Sequence, residues 1–273
     1  MKLNIAIQGI KGSNHHQVAK DYFGNDTDLV ECLSFDVLVD QLLQGKADKG
    51  IMAIENSIAG SIIPNYALVY HNNLHIIGEH YLNIHHNLMV LKGQKIEDID
   101  EVRSHPMALL QCKEFFKAYP HIKMVEDVDT ADVAKRIQEN QLKKVGAIAS
   151  AKAAEIYGLT IIADGIQTIK KNFTRFVIVQ RKQSLNNQES TKASLKFVLK
   201  HQSGSLGDVL ITLANHKVNL SKIQSLPIID KPWEYAFFAD LVFEDYEEYK
   251  NAIADIKSKV SSLKILGEYK DNK

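Results

Sequence analysis

The sequence predicts a two-part α/β protein, with mainly parallel strands in residues 1–180 and a ferredoxin-like βαββαβ module in residues 193–273. Three observations predict this. Short apolar runs alternate with helical stretches up to about residue 180; apolar periodicity is lost across 181–192; a second, differently ordered set of strands and helices then follows.

In the first part, "LNIAIQG", "KGIMAIE", "LHIIGEHYLNI", "VGAIAS" and "RFVIVQ" read as strands. Between them lie helices such as 107–118, where Ala108, Leu109, Cys112, Phe115, Phe116 and Tyr119 recur at spacings of three and four. The stretch "RKQSLNNQESTK", 181–192, is rich in Gln, Asn and Ser and reads as a solvated linker. Beyond it come a strand at 193–199, a helix with Leu206, Val209, Leu210 and Leu213, and strands near 218–229 and 234–243. A helix with Tyr246, Tyr249, Ile253, Ile256 and Val260 and a strand around Leu263 to Leu266 complete the module.

A chain of 273 residues with 45% hydrophobic content can bury a substantial core. Lys plus Arg balances Asp plus Glu at 33 each, which leaves no basic footprint for nucleic acid and favours a small-molecule partner. The opening "KLNIAIQG" is too short for a signal h-region and no span approaches membrane length, so a cytoplasmic location without a membrane partner is expected. Cys32 and Cys112 belong to no CxxC pair and read as buried, reduced thiols.

Several strands of the first part run into small or hydroxylated residues: Gly9, Gly12 and Ser13; Glu55, Asn56, Ser57, Gly60 and Ser61; Ser104 and His105; Thr130; Ser150. Any one of them reads as a helix N-cap, and Thr130 and Ser150 are assigned as caps. Together, at the carboxyl ends of strands, such turns suggest an anion site, and a small carboxylate fits them better than a nucleotide because neither GxGxxG nor a Walker lysine is present.

At the entrance of the apolar run from Phe176 to Val179 stand Asn172, Thr174 and Arg175. Arg175 offers a planar fork for a carboxylate, or alternatively pairs with a surface acid. Thr174 supplies a hydroxyl that can donate a hydrogen bond or a proton. His71, His75, His80, His85 and His86 crowd together, with His71 and His75 at helical spacing, but HEXXH is absent and no metal is expected.

Taken in order, "GIKGS", "IENSIAGS", "RSHPMALLQC", "DTADVA", "AIASAKAAEIYGL" and "NFTRFVIV", followed by "SGSLGDVL" and "VNLSKIQSLP", resemble the prephenate dehydratase family in its monofunctional form with a C-terminal ACT domain. The resemblance covers nearly the whole chain. It implies a catalytic region of two α/β lobes (1–180), similar to type 2 periplasmic binding proteins with a cleft between the lobes, joined by the linker to an ACT regulatory domain (193–273). The chain opens on its first strand, so no chorismate mutase domain is expected.

The implied reaction is decarboxylating dehydration of prephenate to phenylpyruvate in phenylalanine biosynthesis, without a cofactor. The resemblance carries the catalytic role to Thr174 and substrate binding to Asn56, Ser57, Ser104, His105, Arg175 and Phe176, with Gly12 and Ser13 from the first turn. It places L-phenylalanine, as effector, at Gly204, Ser205, Leu206, Gln224 and Ser225, and it implies a homodimer or homotetramer. Met107 stands where the family commonly has Gln, Asn14 where it has an aromatic, and the "GAL" and "ESRP" effector segments are altered. Two other readings stay open: arogenate dehydratase, and a non-catalytic amino-acid-sensing binding protein.

Overall fold

The computed structural model describes residues 2–182, 188–200, 202–228 and 231–272. Residues 183–187 of the expected linker and residue 229 of the expected strand lie outside them. In chain order the elements begin β1 (Leu3–Gln8), α1 (Asn14–Phe23), β2 (Thr27–Cys32), α2 (Phe35–Leu43), β3 (Lys49–Asn56), β4 (Gly60–Ser61), α3 (Ile63–His71), β5 (His75–Asn83) and β6 (Asn87–Val90). They continue with β7 (Glu101–Ser104), α4 (Pro106–Phe116), β8 (Lys123–Glu126), α5 (Thr130–Glu139), β9 (Val145–Ala149), α6 (Ala151–Tyr157), β10 (Thr160–Ala163) and β11 (Phe173–Gln180). The last six are β12 (Lys192–Leu199), α7 (Ser205–Asn215), β13 (Asn219–Ile228), β14 (Lys231–Val242), α8 (Tyr246–Lys259) and β15 (Val260–Tyr269).

Two compact units result, and the chain passes between them more than once. The first comprises Met1–Ala47, Asn56–Gly60 and Leu82–Thr174; the second comprises Asp48–Glu55, Ser61–Tyr81 and Arg175–Lys273. The units therefore divide at Thr174 and Arg175, inside β11, rather than at the polar stretch 181–192. That stretch also ends in structure: Ser190 and Lys192 are buried, and Lys192 already belongs to β12.

In the first unit β1 and β2 pair in parallel from Leu3 opposite Thr27 to Gln8 opposite Cys32. A five-stranded sheet runs in the order β10-β6-β9-β7-β8. Strand β7 is parallel to β8 and β9, whereas β6 runs antiparallel to β9 and β10. The expectation of mainly parallel strands thus needs correcting for β6, which runs against both its neighbours, while β10 shares the direction of β9. Apolar faces on either side of this sheet form two clusters, one around Ala131, Ala134, Ile137 and Ala147, the other around Leu88, Val102, Leu109, Cys112 and Ile148.

Capping explains where these helices start. Ser13, Ser34 and Ser150 accept backbone N–H bonds from the residue three further on, and Asp129 accepts from Ala131 and Asp132. Asp129, not Thr130, caps α5, because Thr130 is already the first helical residue. Gly12 has φ +92°, and a Cβ there would stand 3.0 Å from Ala153 Cα, so only glycine suits this turn.

In the second unit β3, β11 and β5 lie side by side in that order. The C-terminal part follows the expected βαββαβ order, with a sheet order of β13-β14-β12-β15. Helices α7 and α8 cover one face of that sheet through Val209, Leu213, Tyr249, Ala252 and Ile256. Packing is close enough that a Cβ on Gly267 of β15 would stand 2.0 Å from the Ile76 carbonyl oxygen of β5. Among the described residues no helix is long and apolar enough to cross a membrane.

Candidate active site

The C-terminal end of β3 and the start of β11 bring Asn56, Asn172 and Thr174 together in the first unit, 9%, 0% and 8% exposed respectively. A chain turning sharply after Asn56 leaves the N–H groups of Ile58 and Ala59 pointing back, and both donate to Asn56 Oδ1, at 3.0 and 2.8 Å. A backbone N–H can only donate, so this oxygen is fixed as the acceptor and the amide nitrogen must face the other way. There Asn56 Nδ2 donates to Asn172 Oδ1 at 2.8 Å and to Thr174 Oγ1 at 2.9 Å.

Thr174 consequently accepts a hydrogen bond, which leaves its own hydroxyl hydrogen available for another acceptor. The exposed turn beyond Asn56 is tied to the same strand, since Phe173 N–H donates to Ser57 Oγ (3.0 Å) and Ser57 N–H donates to the Phe173 carbonyl (2.8 Å). Asn172 is held on its far side as well. Its Nδ2 donates to Gln111 Oε1 at 2.8 Å, its N–H donates to Asn83 Oδ1 at 3.1 Å, and Gln111 Oε1 lies 2.8 Å from His86 Nε2.

The arginine beside the threonine has a different role. Consecutive residues of a strand face opposite ways, and Arg175, 4% exposed, lies wholly within the second unit's ion network. Its Nε donates to Glu79 Oε2 (2.7 Å), its Nη1 to Asp240 Oδ2 and its Nη2 to Tyr269 Oη (2.9 Å). Lys192 Nζ donates to the other Glu79 oxygen at 2.8 Å. Attraction to Tyr269, Asp240 and Glu79 outweighs burial and holds the guanidinium pKa above its ordinary value. At 4% exposure, with each of its three nitrogens already engaged by Glu79, Asp240 or Tyr269, Arg175 is committed to its protein partners, and the expectation that it binds substrate is corrected.

Other expected contacts are also spent on structure. Phe176 is 1% exposed and belongs to the packed core. Gly12 N–H donates to His16 Nδ1 at 3.0 Å, and its carbonyl accepts from Ser150 Oγ at 2.7 Å. Ser13 Oγ caps α1 and its N–H donates to the Ile10 carbonyl. Ser104, fully buried, donates to the Ile148 carbonyl at 2.7 Å and so ties β7 to β9. These four residues hold the framework. Ser57 and His105 remain exposed, the latter capping α4 through a bond from Met107 N–H to its Nδ1 at 3.2 Å.

Gln111 joins the site without having been singled out from the sequence, while Asn172 and His86, noted only for their position, are drawn into it by their hydrogen bonds. Gln111 interrupts the apolar run "ALLQC" of α4, and Asn172 precedes the buried strand; each is a polar residue where the local pattern calls for an apolar or solvated one. The histidine cluster disperses: α3 ends at His71 while His75 opens β5, so the two do not share a helix face. Among the described residues no three His, Cys, Asp or Glu side chains converge as metal ligands would. Cys32 and Cys112 are free and buried, with burial raising their thiols to about 11 and about 12.

Comparison with known proteins matches residues 5–184 to the family model of prephenate dehydratase. Arogenate dehydratase 2 of Petunia hybrida is 34% identical over 98% of this chain and 72% of its own. The bifunctional chorismate mutase/prephenate dehydratase of Enterobacter agglomerans is 33% identical over 97% of this chain and 70% of its own. A solved prephenate dehydratase from Arthrobacter aurescens, in complex with L-Phe, superposes with a TM-score of 0.88 at 24% identity, covering 98% of this chain and 90% of that one.

Proposed function

Because the chain belongs to the prephenate dehydratase family, we propose that it converts prephenate to phenylpyruvate, with the Thr174 hydroxyl easing the departure of the ring hydroxyl. Prephenate loses carbon dioxide and hydroxide as its ring becomes aromatic, so the thermodynamic drive belongs to the substrate. The protein has to hold the ring in place and stabilise charge building on the leaving oxygen.

The observation that carries this reading is the direction of the Asn56 to Thr174 hydrogen bond. A threonine whose oxygen is already a hydrogen-bond acceptor keeps its hydrogen for a ligand. Threonine is a poor acid in water, so its contribution is a hydrogen bond to the departing oxygen rather than complete proton transfer. Ser57 and His105, both exposed, are the expected substrate contacts that stay unburdened by the core.

Incubating the purified protein with prephenate at neutral pH and following phenylpyruvate tests the proposal directly; no product above the spontaneous rate would overturn it. The Petunia hybrida relative supports arogenate as a second substrate. Side-by-side kcat/KM values for the two acids decide between them.

The C-terminal module is proposed to be an ACT regulatory domain that binds phenylalanine, in an enzyme that works as a cytoplasmic homodimer or homotetramer. Support comes from a cavity of about 280 Å3 lined by Gly204, Ser205 and Leu206 together with Lys200, Glu234 and Tyr235. Helix α7 starts there without a side-chain cap; Ser205 N–H already donates to the Gln202 carbonyl, so the N–H groups of Leu206 and Gly207 are the ones that suit a carboxylate. Gln224 and Ser225 lie on β13 and do not line that cavity. Turnover that ignores added phenylalanine would remove this part of the proposal.

A further inference from the structure

The row of amides behind Thr174 ends on an imidazole, and its directions propagate from one fixed point. The N–H groups of Ile58 and Ala59 set the Asn56 oxygen, so Asn56 Nδ2 donates to Asn172 Oδ1. Asn172 Nδ2 must then donate to Gln111, which identifies the Gln111 atom it meets as Oε1. An oxygen without hydrogen, 2.8 Å from His86 Nε2, requires that nitrogen to carry the proton.

We propose that His86 is a positioning residue for the reaction, acting through Gln111: as the Nε2–H tautomer it clamps the Gln111 oxygen against Asn172. The inference rests on the function proposed above. It assigns a role to a buried histidine, 6% exposed, that otherwise stands among a cluster of unremarkable ones. Burial outweighs the Gln111 contact and keeps the imidazole pKa below 6.5, so the ring is neutral at pH 7.

Two consequences follow. Gln111 Oε1 receives two donors, which locks the carboxamide plane. The Gln111 Nε2 group makes no hydrogen bond among the described residues and is turned away from that oxygen, ready to donate to a ligand. Without His86 the carboxamide keeps only its bond from Asn172 and can rotate. The loss falls on geometry at the reacting centre rather than on substrate affinity.

His86→Leu is expected to lower kcat about tenfold, the worth of one neutral hydrogen bond, with KM changed less than about twofold. His86→Gln places an amide N–H near the same point and is expected to restore kcat to within about threefold. Nitrogen-15 NMR of the labelled native protein at pH 7 should show His86 neutral and protonated at Nε2. An Nδ1–H ring, a protonated ring, or an unchanged kcat in a folded His86→Leu variant would overturn the proposal. If the native protein fails to consume prephenate, the functional reading falls by itself, while the NMR spectrum still decides whether His86 clamps Gln111.

Discussion

Thr174 Oγ1 receives a hydrogen bond from Asn56 Nδ2 across 2.9 Å, and the same Asn56 nitrogen also donates to Asn172 Oδ1. Replacing Thr174 by Val keeps the shape and removes the hydroxyl. The expected result is a fall in kcat of about 10²- to 10³-fold, the usual cost of removing one donor to a developing oxyanion. Thr174→Ser should retain most of the activity. Steady-state kinetics on folded protein, verified by circular dichroism, checks both.

Asn56→Asp keeps the acceptor for Ile58 and Ala59 but abolishes the donor. Thr174 would then turn its hydrogen toward the carboxylate and Asn172 Oδ1 would face a second oxygen. Activity should fall at least as far as in Thr174→Val, and thermal denaturation should show a lower Tm. A fully active Asn56→Asp enzyme would show that the direction of this bond is irrelevant.

Arg175 is predicted to govern stability rather than affinity. Arg175→Met leaves Glu79 and Asp240 buried without their shared cation, a change that costs about 3 to 5 kcal/mol. Urea denaturation should register it as a lower midpoint. Were Arg175 the substrate clamp, the variant would fold normally and KM would rise steeply instead.

His15 provides a pH test. Burial lowers its pKa from 6.5 to about 3 against the ring of Phe35, whose centroid is 5.5 Å away. Above pH 6.5 the ring is neutral folded or unfolded and contributes nothing to the pH slope. Below pH 6.5 only the unfolded chain takes up the proton, so stability falls by about 1.4 kcal/mol per pH unit until the folded state titrates near pH 3. His15→Phe should remove one proton's worth of that slope, measured by urea unfolding at pH 7, 6 and 5.

The alternation of strands and helices, and the βαββαβ tail, were legible because hydrophobic periodicity reports which face is buried. The motifs around Thr174 and Asn56 were visible in the sequence, and the structure brings those two side chains within 2.9 Å of each other. Arg175 was misread because its partners lie 96 and 65 residues away, and no local pattern reveals which acid a guanidinium will meet. The contact between Gln111 and His86 has no local signature for a related reason: 25 residues separate them, and their hydrogen bond exists only once β6 and α4 are assembled. Strand direction in the five-stranded sheet was also hidden, since an apolar run reads alike in either orientation.

The ion network around Glu79 has a bearing on how such an enzyme could be altered by deletion. Ending the chain ahead of β12 would strip away Lys192, Asp240 and Tyr269 together, and would uncover Tyr66 by removing the Phe238 ring packed 5.3 Å from it. A sensor hung on a loose tether can be trimmed off to leave an unrestrained catalyst. Here the tail is sewn into the fabric beside β11, so escape from any control it exerts has to come from point changes, not from shortening the polypeptide.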